Sequence, residues 1–74
     1  MRMTYDPEAD ALYLYVAEAA VAETREVAPN VMVDLTEAGE LVGVEVLAVS
    51  GRPGANPMAV AFEVLGGEAR TRAA

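Results

Sequence analysis

The sequence predicts an α+β domain: an antiparallel β-meander of four to five strands followed by one short C-terminal helix. Apolar residues alternate over 11–17, 31–35 and 41–47, the period at which successive side chains point to opposite faces of a sheet. Gly, Pro, Asn and Asp interrupt these runs at short intervals, which joins strands by turns. Asn56 and Pro57 stand ahead of an apolar run that ends at Gly66, the order of a helix cap, first position and stop.

Met3 to Tyr5 opens a strand, and residues 6–10 form a turn. Pro7 sets the φ such a turn needs, and Asp6 can accept from the backbone beyond it. In 11–17, Leu12, Leu14 and Val16 share one face while Tyr13 and Tyr15 share the other. Ala and Glu at 18–22 favour helix by propensity, but the flanking alternation makes the segment a hairpin connection into a strand over 23–27. Pro29 and Asn30 turn the chain into Val31–Leu35, and Gly39 supplies the positive φ of a hairpin over 36–40. Leu41–Leu47 is the firmest strand. Val42, Val44, Val46 and Ala48 form one face, and Leu41, Gly43, Glu45, Leu47 and Val49 the other, so that both faces are expected to be partly covered. Residues 50–55 are a loop. The helix at 58–65 is apolar apart from Glu63, so it must be buried against the sheet or another subunit; Met58, Val60, Phe62 and Val64 also alternate, which leaves strand as its alternative. Residues 1–67 form a single domain, and 68–74 a polar tail that frays.

Composition narrows the function. A 74-residue chain without Cys or His lacks the disulfides and the common metal sites that brace small domains, so association with a second chain is the remaining support. A hydrophobic content of 54% is more apolar surface than so small a body hides, which again points to a homodimer. The net charge of -7 comes from 12 acidic residues against five Arg and no Lys. It opposes direct nucleic-acid binding, which depends on neutralising phosphates, and suits a basic protein partner. No apolar run is long enough for a membrane helix and no signal core follows the first residues, so the expected location is cytoplasmic.

Candidate chemistry is sparse. Residues 34–45 place Asp34, Gly39 and Glu45 in calcium-loop register, but Thr36 stands in place of a carboxylate, Ala38 offers no ligand and no helix pattern flanks the loop, so the segment reads as a hairpin turn. Asp6, Glu8 and Asp10 read as a solvated turn. Glu45, on an otherwise apolar strand, calls for an ion-pair partner such as Arg25 or Arg52. Tyr13 and Tyr15 suit an interface or core better than base stacking on so acidic a chain. Ser50 is the single serine, and without His, Cys or Lys no nucleophile–base unit can be assembled. No catalytic, cofactor or metal residues are assigned. The competing reading is a small ligand- or metal-binding protein or enzyme using Asp6, Asp10 or Glu45.

The runs Tyr5–Leu14 and Val33–Leu47 resemble DUF2283, a family of small bacterial and archaeal proteins of unknown function. The first matches its Tyr-Asp-x-x-x-Asp-x-Leu-Tyr opening, and the second its Asp-Leu-Asp-x-x-Gly-x-Leu-Val-Gly-Ile-Glu-Ile-Leu segment, with Thr36 in place of the usual acid. The resemblance covers about residues 3–50 and implies a compact β-rich domain, a β-meander followed by a helix, with an antitoxin-like role suspected for some members. It brings no catalytic residues. The expected function is therefore a non-enzymatic interaction and oligomerisation module, an antitoxin-like partner of a basic protein.

Overall fold

The computed structural model describes residues 1–66. Five strands form one antiparallel sheet: β1 (Arg2–Asp6), β2 (Ala11–Tyr15), β3 (Glu23–Ala28), β4 (Val31–Leu35) and β5 (Leu41–Leu47), in the spatial order β1-β2-β5-β4-β3. A single turn of 3-10 helix, Val49–Gly51, follows β5. The antiparallel sheet agrees with expectation, and β3, β4 and β5 are a meander. Residues 18–22 are not a hairpin connection, because β2 and β3 are not neighbours. The segment after β2 instead crosses the end of the sheet to its far edge, which makes a Greek key of β2 to β5. It is held there by backbone bonds: Val16 and Ala17 N–H both donate to the Val42 carbonyl, and Ala22 N–H to that of Leu35.

The turns follow from the residues in them. Pro29 then Asn30 at φ 63° is the combination a type II turn requires. Gly39, at φ 85°, closes the 36–40 hairpin, where Thr36 Oγ1 accepts from Glu40 N–H at 3.0 Å. Asp6 Oδ1 accepts from Glu8 N–H at 2.9 Å and shapes the β1–β2 turn.

The C-terminal helix does not form. Asn56 does begin a turn: its side chain accepts from Met58 N–H at 3.0 Å and its carbonyl from Ala59 N–H at 3.0 Å. Beyond that turn, residues 60–66 form no regular element and are exposed. A first helical turn fixes several residues for one bond and a short helix survives only by packing; here no element receives it, and Val60 and Val64 are poor helix formers. The strand alternative is not realised either, for the segment lies outside the sheet. The tail expected at 68–74 lies outside the described residues.

Cross-strand pairing sorts the side chains onto two faces. One is apolar over four strands: Met3 and Tyr5 of β1, Leu12 and Leu14 of β2, Val44 and Val46 of β5, Val31 and Val33 of β4, with Arg25 and Glu23 of β3 at its edge. The other is mainly polar and aromatic: Arg2, Thr4, Tyr13, Tyr15, Gly43, Glu45, Asp34 and Thr24, with Met32 and Leu47 among them. No second layer covers the apolar face among the described residues. Its side chains are half-buried by one another, Met3 remains 45% exposed, and only Val42 and Val49 are buried hydrophobics. No helix of the described residues is long and apolar enough to cross a membrane.

Ala48 breaks β5 in the left-handed region, at φ 52°. That conformation costs a non-glycine residue about 1–2 kcal/mol, more than the entropy a glycine loses on ordering. Ala48→Gly is expected to raise unfolding free energy by about 0.5 kcal/mol in urea denaturation.

Candidate functional site

The polar face carries a continuous line of side chains across all five strands. It is built around Gly43. The Tyr13 ring lies flat against this glycine, so that a Cβ there would sit 2.5 Å from the Tyr13 hydroxyl and 2.6 Å from Cε1. A glycine inside a strand marks a close approach, and here the approaching group is the ring of the neighbouring strand. Passing over β5, the Tyr13 hydroxyl donates to Asp34 Oδ2 on β4. Asp34 Oδ1 accepts from the Thr24 hydroxyl on β3 at 2.5 Å. In the other direction Tyr15 packs on Tyr13 with centroids 4.3 Å apart, and the Arg2 guanidinium of β1 lies 3.9 Å above the Tyr15 ring.

This arrangement fixes the chemistry of Tyr13. Its hydrogen bond to Asp34, then burial, then the negative charges of Asp34, Tyr15 and Glu45 push its pKa up to about 12. The phenol is thereby held as a protonated donor, the opposite of a general base at neutral pH. Beside the line, Arg2, Tyr13, Tyr15, Val16, Glu18 and Val21 help line a hollow of about 500 Å³ where the β2–β3 crossover leaves the sheet. It joins a cation already stacked on an aromatic ring to an exposed carboxylate, and offers no activated nucleophile.

A second cluster closes the other end of the sheet around Asp10. Its Oδ1 accepts from the Tyr5 hydroxyl at 2.7 Å, and its Oδ2 from the Ser50 hydroxyl at 2.7 Å; Ser50 N–H also donates to the carboxylate at 3.1 Å. These bonds, that of Tyr5 first and those of Ser50 next, hold the Asp10 carboxyl below its usual pKa of 3.8. The same hydrogen bond raises the pKa of Tyr5. Asp10 thus latches the β1–β2 turn onto the segment after β5, and Val49 is buried beside it.

The structure does not bring Asp6, Asp10 and Glu45 together. Asp6 serves its own turn, Asp10 is the latch, and Glu45 sits mid-sheet opposite Tyr13 and Met32. Among the described residues no three acidic, His or Cys side chains are grouped to hold a metal ion. The ion pair expected for Glu45 is not made by either named partner. Arg25 pairs with Glu23 at 3.0 Å, and Arg52 donates to the Pro29 carbonyl at 3.1 Å, since β3 turns Arg25 onto the apolar face while Glu45 lies on the polar one. Sequence reasoning missed Asp34 as the centre of the polar face, having weighed it only as a calcium ligand. The signal was Gly43, a mid-strand glycine between a tyrosine strand and an aspartate strand.

The family model described as "Protein of unknown function (DUF2283)" matches residues 2–50. No curated protein and no solved structure matches the chain. The matched residues span β1 through β5 and most of the turn after them, and the positions that carry the family pattern now have physical roles. Tyr5 and Asp10 form the latch, Asp6 the turn, and Tyr13, Gly43 and Asp34 the line across the sheet.

Two outcomes test this site. Gly43→Ala is expected to cost about 1–3 kcal/mol by forcing the Tyr13 ring aside, and far less in a Tyr13→Ala background, as a double-mutant cycle in urea would read. Because the folded pKa of Tyr13 is raised from 10 to about 12, its stabilising contribution is complete below pH 10 and is lost as pH rises towards 12. Ultraviolet titration should show one phenol ionising near 12, and Asp34→Asn should return it towards 10.

Proposed function

The chain belongs to the DUF2283 family, and from that premise we propose that it is a non-enzymatic interaction module that self-associates through the apolar face of its sheet. One observation carries the reading: the two faces of this sheet are unequal in how far the chain itself completes them. The polar face closes on itself, with Tyr13 filling the space over Gly43 and Asp34 receiving two hydroxyl donors. The apolar face has no such closure. Leu12, Leu14, Val31, Val33, Val44 and Val46 stand side by side without a second layer among the described residues, and an antiparallel sheet ordinarily packs one face on a core. Patches beyond a few hundred Å² mark interaction surfaces. A second copy supplies a matching apolar face at the ~10 Å spacing of stacked sheets.

The charge favours a further, basic partner, in the antitoxin-like sense suspected for the family. Glu23, Glu26, Glu37 and Glu40 are exposed on β3 and the 36–40 turn, and Arg25, the cation among them, is held by Glu23. Such a partner should co-purify from the native host at low salt and be released as salt screens the contact. Recovery of the chain without any basic protein at low salt would remove this part of the reading.

Self-association couples to folding, so thermal unfolding should shift upward with protein concentration. We expect the midpoint to rise by several degrees over a hundredfold concentration range, and Val44→Asp to abolish the shift. A midpoint independent of concentration would count against the module acting as an oligomer.

A further inference from the structure

We propose that the segment 60–65 of each chain, which belongs to no helix or strand of its own, adds as a sixth strand to the β1 edge of a second copy, antiparallel to β1, with Glu63 opposite Arg2. The inference rests on the self-association proposed above and names the element that completes it.

The segment is unusual in what it exposes. Phe62 and Leu65 are 87 and 80% exposed, and the last backbone hydrogen bond before Gly66 is that of Ala59 to Asn56. Backbone outside any helix or strand can pair at a sheet edge, which strand addition requires. Its alternation also matches the sheet. One set is Val60, Phe62 and Val64, and the other Ala61, Glu63 and Leu65, so an added strand would extend the apolar face with the first set and carry Ala61 and Glu63 on the polar face.

The two edges are not equivalent. β3 carries Glu23, Arg25 and Glu26 and a bulge between Glu26 and Ala28, features that guard an edge against pairing. β1 is regular along its pairing with β2 and presents Met3 and Tyr5 on the apolar face. Charge then selects the register. Glu63 is the one charged residue of the segment and meets a row of Arg2, Thr4 and Asp6 on the polar face. Placing it opposite Arg2 in antiparallel order sets Phe62 opposite Met3, Ala61 opposite Thr4 and Val60 opposite Tyr5. Val60 and Phe62 then fall on the apolar face and Ala61 on the polar one. The parallel order with the same ion pair runs off the segment within a few residues.

A second copy is the occupant for two reasons. The chain's own β1 is within reach, yet turns at 52–55 and 56–59 fold the connection and the segment lies off the edge. Area points the same way. Five strands at ~4.8 Å by five residues at ~3.3 Å give a face of about 400 Å² in projection, short of the roughly 800 Å² per partner of a standard stable interface. The segment is the largest remaining apolar surface, and exchanging it between copies adds area on both sides.

The chain has no cysteine, so cross-linking reads the geometry directly. One chain carries Met3→Cys and a second, differently tagged chain carries Phe62→Cys; oxidation of the mixture should give a disulfide between the two chains. Ala61→Cys, facing the opposite side, should cross-link with Met3→Cys far less. Equal yields at 61 and 62 would overturn the strand, and a Met3→Cys/Phe62→Cys double variant that closes only within single chains would overturn the exchange. If the wild-type chain is a dimer yet the Met3→Cys and Phe62→Cys chains do not join, this inference fails while the self-association reading stands. A wild-type chain that is monomeric at all concentrations defeats both.

Discussion

The contact between the Tyr13 ring and the bare backbone of Gly43 is the constraint on which the rest of the sheet depends. Without a side chain at 43, the ring can cross β5 and deliver its hydroxyl to Asp34, and Asp34 in turn holds Thr24. One line of contacts therefore pins β2, β5, β4 and β3 in the order that the Greek-key crossover demands. With Arg2 over Tyr15 it reaches β1 as well. A one-residue slip of any strand would carry these groups to the opposite face, so the line sets register as well as order. Hydrogen bonds to a carboxylate are among the stronger neutral-donor contacts, which matters where Val42 and Val49 are the only buried hydrophobics among the described residues.

The same constraint explains why the two faces differ in what they can do. Side chains that satisfy one another on the polar face leave little for a ligand to complete, and Tyr13 and Asp10 are committed to structural hydrogen bonds. As pH falls through the lowered pKa of Asp10, the latch to Tyr5 and Ser50 is lost, because the stabilisation of a carboxyl held below its ordinary value is present above that value and disappears beneath the folded one. The apolar face has no second layer among the described residues. Each position of the family pattern at Tyr5, Asp6, Asp10, Tyr13, Asp34 and Gly43 has a structural role in this sheet.

Much of the fold was legible in the residues. Alternation located Val31–Leu35 and Leu41–Leu47 at their observed bounds, and Pro29–Asn30 and Gly39 marked turns by φ requirements that only a few residues meet. Topology was less accessible. The segment 18–22 has no residue that distinguishes a hairpin from a crossover, and its path is decided by β5 inserting beside β2, a long-range pairing. The helix expected at 58–65 failed for a related reason: Asn56 and Pro57 are true start signals and do initiate a turn, but a short helix is stabilised by what it packs on, which local residues do not encode. The site was hidden because Tyr13 lies far along the chain from Asp34 and Gly43, and each alone has an ordinary role on a strand.

The most direct measurement of the central claim is the mass of the chain in solution. Sedimentation equilibrium at neutral pH over a micromolar to millimolar series should give twice the chain mass of 7.8 kDa, as expected of a sheet that packs its apolar face on a second copy. A mass of one chain throughout the series, with the sheet folded, would contradict it.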